Sequence, residues 1–149
     1  MSAPTPRWFL PATEILTVGL PFCAFKLLTG DIAAHGGSFA PLGYALLALG
    51  LVDLVLNTVN LVALVTLRRR LGSVCLAELA MRTFGRRAEV GLAIDVFVSF
   101  GLVACVVGFG LIARIPPWAL PIWNTAVVLN VLGAGVGRLI AALRSASDQ

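Results

Sequence analysis

Long apolar runs alternate with short polar breaks along this chain, on a length scale that suits helices. Residues 1–7 form a polar lead with two prolines. A mainly apolar stretch then runs from Trp8 to Gly30, broken by Pro11, Glu14, Pro21 and Lys26. Its longest uncharged core, Ile15 to Phe25, is eleven residues. Residues 31–41, DIAAHGGSFAP, carry a glycine pair and a proline and read as a connection. Leu42 to Leu67 is apolar with Asp53 as its one charge, and it stops at Arg68-Arg69-Arg70. Gly91 to Ile115 is a further long run. Pro116-Pro117-Trp118 makes a turn, and a last run reaches Leu143 before Arg144 and a polar tail.

A helix that crosses a bilayer needs ~20 apolar residues at ~1.5 Å each. The pattern therefore predicts a single all-α integral membrane domain over 1–149. Its four transmembrane helices fall at about 8–30, 42–67, 91–115 and 118–143. The first span has the shortest uncharged core, and an interfacial or re-entrant helix is its alternative. Pro21 should kink it, and Lys26 should snorkel to an interface. Residues 71–87, LGSVCLAELAMRTFGRR, repeat Leu71, Cys75, Leu79 and Ala80 at helical spacing and pair Glu78 with Arg82 at i,i+4. They predict an amphipathic cytoplasmic helix at about 71–84, lying on the membrane surface or against a partner.

Composition agrees with this reading. The chain is 59% hydrophobic and 12% charged, against ~25% charged for an ordinary soluble domain. That excludes a soluble monomer and a disordered chain. Six of the eleven cations, Arg68, Arg69, Arg70, Arg82, Arg86 and Arg87, crowd the connection after the second span. Lys26 and Arg114 lie on the opposite side. The cation bias places the long connection, and with four spans both termini, in the cytoplasm of a bacterial inner membrane. The arginines flank apolar runs, so no nucleic-acid partner is expected. The partners expected are lipids and other membrane subunits or further copies of the chain.

Polar residues within apolar spans carry the most information. Asp53, Asn57 and Asn60 stand at i, i+4 and i+7, within ~60° of one another, with Leu46 and Leu64 on the same face. Asn130 lies ~20 Å and Asp53 ~21 Å from the cytoplasmic end, a level at which the sequence supplies no evident cation. Asp95, Arg138 and Glu14 fall in a shallower layer, ~6 to 8 Å deep, which suggests an Arg138–Asp95 pair with Glu14 as competitor. Ala104 with Gly108, and Gly133 with Gly137, are spaced for close helix packing.

Two readings of the stripe follow. In one, the amides are interhelical glue at ~0.6 kcal/mol per bond. In the other, Asp53, Asn57 and Asn60 line an ion or proton path.

Absences narrow the function. His35 is the single histidine and sits beside Gly36-Gly37. Cys23, Cys75 and Cys105 have no metal or disulfide spacing and read as small buried hydrophobes. No nucleophile–base constellation, phosphate loop or dinucleotide fingerprint is present. Small multidrug-resistance transporters share the early glutamate, but this chain is longer and lacks an aromatic-lined sequence around Glu14. The sequence thus points to a non-catalytic accessory subunit of a larger membrane complex. It predicts no cofactor, although an apolar bundle leaves room for lipid, quinone or pigment. The alternative is a small oligomeric ion- or proton-coupled transporter or channel using the Asp53 stripe. A weaker third reading is an intramembrane enzyme or its regulatory subunit.

Overall fold

The computed structural model describes the backbone from Phe9 to Ser147; the side chains of Phe9, Ala134, Gly137, Arg138 and 140–147 lie outside the described residues. The described chain is all helical: α1 (Phe9–Glu14), α2 (Leu20–Ala34), α3 (Ala40–Leu67), α4 (Leu76–Thr83), α5 (Ala88–Gly108) and α6 (Leu120–Ser147). Three stretches are long and apolar enough to cross a membrane: Leu10–Ala34, Gly37–Leu67 and Ala88–Gly108. In α6 the described apolar stretch is Leu120–Gly133.

From Phe9 onward the first predicted span is helical without a break, because α1 and α2 are joined by a π-helical turn at Ile15–Gly19. Its cause is Pro21, which has no N–H to give to the preceding turn. The chain widens by one residue instead, and the Leu20 N–H donates to the Ile15 carbonyl. The π turn stands at the place where a kink is expected, and such turns are themselves points where helices bend. The helix also continues past Gly30 to Ala34, so the 31–41 connection shrinks to the Gly36-Gly37 region. Gly37 adopts φ +67°, a left-handed conformation that glycine adopts without a Cβ penalty. The exposed His35 closes α2 there, with Nδ1 2.9 Å from the Asp31 carbonyl. The third predicted span ends at Gly108 rather than Ile115, since Gly110 takes φ +66° and a short 3₁₀ turn, Leu111–Arg114, follows.

The buried positions of α3 are Gly43, Leu46, Gly50, Asp53, Asn57, Asn60, Ala63 and Leu64. Seven of these alternate at spacings of three and four, the rhythm of a helix seam. Glycines let the first helix approach closely along it. A Cβ on Gly43 would overlap the Ala33–Ala34 backbone, and one on Gly50 would press on Leu27 and the Lys26 stem. Gly43→Leu is therefore expected to force α2 and α3 apart and cost ~3 kcal/mol or more, because the obstruction is backbone. Gly101→Ala, where a Cβ meets nothing within 4 Å, should be neutral or stabilise by ~0.5–1 kcal/mol. Detergent-phase thermal unfolding of the two variants checks the contrast.

A second core forms where α2 meets α5 and α6. Phe22, Phe25, Leu28, Val106, Ala119 and Trp123 are buried together. The Phe25 and Trp123 rings lie 5.0 Å apart, and Phe22 meets Phe100 edge-on at 5.5 Å. Gly133 faces Thr17 of the π turn, where a Cβ would overlap the threonine side chain. The expected packing role of Gly133 thus has a partner, while Gly137 lies outside the described residues. Ala104 and Gly108 lie on the outer side of α5. Both are exposed among the described residues. The outer faces of α3 and α5 are large and apolar: Val52, Val55, Val59, Phe97 and Val107 are exposed.

Candidate functional site

Asp53 has two partners that its sequence neighbourhood does not reveal. The Lys26 Nζ lies 2.5 Å from Asp53 Oδ2 and also bonds Asp95 Oδ1. One ammonium from α2 thus bridges carboxylates from α3 and α5. Lys26 is fully buried, so its expected place as a snorkelling interface residue is corrected. The reason is helix length. Because α2 runs on to Ala34, Lys26 stands eight residues inside its end, and the side chain crosses at Gly50 toward Asp53. The second partner of Asp53 is the Leu76 N–H, which donates to Oδ1 at 2.6 Å from the first residue of α4. A carboxylate at a helix start is favoured by the free N–H groups and the helix dipole.

The rest of the stripe holds the same connection. Asn60 Nδ2 donates to the Ser73 carbonyl at 2.8 Å, and Asn60 Oδ1 accepts from the Leu71 and Gly72 N–H groups at 3.1 Å each. Asn57 Nδ2 donates to the Val74 carbonyl at 2.8 Å and lies 3.6 Å from Cys23 Sγ. Asn60, Asn57 and Asp53 thus take hold of residues 71–73, 74 and 76 in order. The segment after the triple arginine therefore doubles back along α3 for seven residues of that helix, ~10 Å. Irregular backbone has unpaired polar groups, and inside an apolar bundle these must find side-chain partners. Here the amides of the stripe supply them.

This corrects the expected helix at 71–84. Residues 71–75 are non-helical and folded back, and the helix is Leu76–Thr83. Leu71 and Leu79, expected on its apolar face, are exposed. Cys75, from the same expected face, is buried, and so are the polar Ser73 and Glu78. Glu78 Oε2 accepts from the Val74 N–H at 2.8 Å, and Oε1 receives Arg82 Nη2 at 2.6 Å, the predicted i,i+4 pair. On the far side, α4 lies on α5 at Gly91, where a Cβ would overlap the Ala77–Glu78 backbone.

Cys75 caps α4, its Sγ accepting from the Glu78 N–H at 3.4 Å. Burial pushes its thiol up from 9.0 to about 11. The raised value means that burial favours the neutral thiol. Its contribution to stability is full below about pH 9 and is lost as pH rises through about 11. A buried, protonated thiol is a poor nucleophile. Cys75 is therefore expected to resist maleimide in the folded protein at pH 7.5 and to react once unfolded, read by mass shift. Cys23 is buried as expected, whereas Cys105 is exposed.

The remaining predicted residues separate. Asp95 meets Lys26; the side chain of Arg138, its expected partner, lies outside the described residues. Glu14 is exposed at the mouth of a cavity of about 70 Å³ that Asp95, Asn57 and Arg70 also line. Asn130 is buried, with no hydrogen-bond partner for its Nδ2 among the described residues. Lys26 is the residue that sequence reasoning misplaced. Its signal was the seven-residue spacing of Gly43, Gly50 and Asn57 beside the stripe, which marks where another helix presses close. Among the described residues, no group of three or more His, Cys, Asp or Glu side chains is arranged to hold a metal ion.

No protein-family model, curated protein or solved structure matches this chain.

Proposed function

We propose that this chain is a non-catalytic helical subunit of a bacterial inner-membrane assembly, with four spans and both termini in the cytoplasm. One observation carries the reading. The polar interior is taken up in holding the chain's own connection, while broad apolar faces of α3 and α5 are left uncovered. Asn60 uses both ends of its amide on backbone, and Asn57 Nδ2 does the same. Asp53 uses both oxygens, on Lys26 and Leu76. A stripe so occupied is suited to rigidity rather than conduction, which weighs against the transporter alternative in which these three residues line the path. The exposed Phe97 and the valines of α3 suit lipid or the helices of partner subunits. The reading includes the arginine-rich turn at Arg68–Arg70 at the cytoplasmic surface, positioned by the folded-back segment.

Purification in mild detergent tests the proposal. It predicts a stable association with other membrane proteins or with further copies of the chain. A monodisperse monomer with no co-purifying protein contradicts it.

A further inference from the structure

The cavity beside Lys26, Asp53 and Asp95 is where the described residues are short of positive charge. We infer that it binds one small monovalent cation of sodium size, held by Asp95, Asn57 and Glu14. The inference goes beyond the subunit reading and does not depend on it.

The first ground is a charge count. Lys26 is one ammonium facing two carboxylates. Asp53 has an additional donor, the Leu76 N–H at the start of α4. Asp95 has Lys26 as its one hydrogen-bond donor among the described residues, so the surplus negative charge rests there. An uncompensated charge in apolar surroundings is costly and draws in a counter-charge.

The second ground is the cavity, and it is independent of the first. Asp95 lines a cavity of about 70 Å³ together with Glu14, Asn57 and Arg70. Asn57 is 2% exposed, and its Oδ1 has no hydrogen-bond partner among the described residues. The amide cannot be turned around, because Nδ2 faces the Asp53 and Val74 carbonyls. Oδ1 therefore faces Gly19 of the π turn, which lines the same cavity. Two carboxylates and an orphaned carbonyl oxygen supply acceptors, and Arg70 is the one cationic side chain in the described lining. A water molecule could hydrogen-bond to Oδ1 but would leave the charge unbalanced, whereas a hard cation answers both. With Arg70 and Glu14 counted beside Lys26, Asp53 and Asp95, two cations face three carboxylates among the described residues, and a single positive charge matches the one left over. At ~30 Å³ per water, the space suits an ion with one or two of its waters. Arg70 lines the cavity too and is the competing cation at its mouth.

Thermal unfolding of the full chain in detergent tests this, at fixed pH and ionic strength with choline chloride replaced stepwise by NaCl. The expected result is a melting temperature that climbs with the logarithm of Na⁺ concentration. Glu14→Gln should shift that response to higher Na⁺, on the order of tenfold, as one nearby charge is removed. Asp95→Asn should abolish it. Because Glu14 is exposed, its variant folds even if Asp95→Asn does not, and it then decides alone. Equal melting in Na⁺ and choline overturns the inference, and so does a Na⁺ response that Glu14→Gln leaves unchanged.

Discussion

Lys26→Met is expected to destabilise the bundle by about 3–5 kcal/mol or to prevent its folding, the usual result of removing one partner from a buried ion pair. Methionine keeps the length and apolar stem of the side chain but leaves Asp53 and Asp95 buried together with no cation between them. The effect should come from that unpaired charge and not from lost packing. Removing the carboxylates as well separates the two causes. Lys26→Met combined with Asp53→Asn and Asp95→Asn should recover most of the loss, because replacing an entire buried ionic group is often close to neutral. The amide introduced at position 53 would still accept from the Leu76 N–H. Unfolding in mixed micelles of increasing SDS content measures all of these variants. A triple variant no more stable than Lys26→Met would mean that the ammonium stabilises the fold by more than charge balance.

Asn60→Leu is the second large effect expected. The side chain fits the volume, but the Leu71 and Gly72 N–H groups and the Ser73 carbonyl lose their partner. Each buried polar group left unpaired costs ~1–3 kcal/mol, and because the three lie on one segment the losses do not simply add. A total near ~3 kcal/mol is expected, with the damage confined to residues 71–76. Cys75 reports on it. In the wild type its thiol is buried and pushed up to about 11. In Asn60→Leu the segment should lift away and Cys75 should label with maleimide at pH 7.5 while the helices remain folded by circular dichroism. Global unfolding without selective Cys75 labelling would contradict the local role given to Asn60.

Much of this was legible in the sequence, and particular residues show where it stopped. The apolar runs mark α3 and α5 because both helices stay long and uninterrupted. The i, i+4, i+7 spacing of Asp53, Asn57 and Asn60 puts them on one buried face, as found. The contents of that face were hidden. Side-chain amides that bond backbone leave no residue-type signature at the receiving end, so Leu71 to Leu76 look like an ordinary amphipathic start. Helical periodicity then assigns Glu78 to a solvated side, although its carboxylate is buried on the Val74 N–H. Lys26 was misplaced for a different reason. A lysine near the expected end of a span resembles an interface anchor, and Gly30 looks like the place to stop. The helix continues through Gly30 because that glycine packs against Gly43 and Leu47 of α3. Four residues of additional helix turn a snorkelling cation into the centre of the bundle.

The central claim is that the chain between the triple arginine and α4 is folded back into the bundle and held there by the Asp53–Asn57–Asn60 face. Residue-resolved hydrogen exchange of the detergent-solubilised chain tests it most directly. Protection is predicted at the Leu71, Gly72, Val74 and Leu76 amides, at levels comparable with α4 although all but Leu76 lie outside any helix. Protection at Leu71 and Gly72 should vanish in Asn60→Leu. Exchange of these four amides at the rate of an open, solvated loop in the wild type would contradict the account.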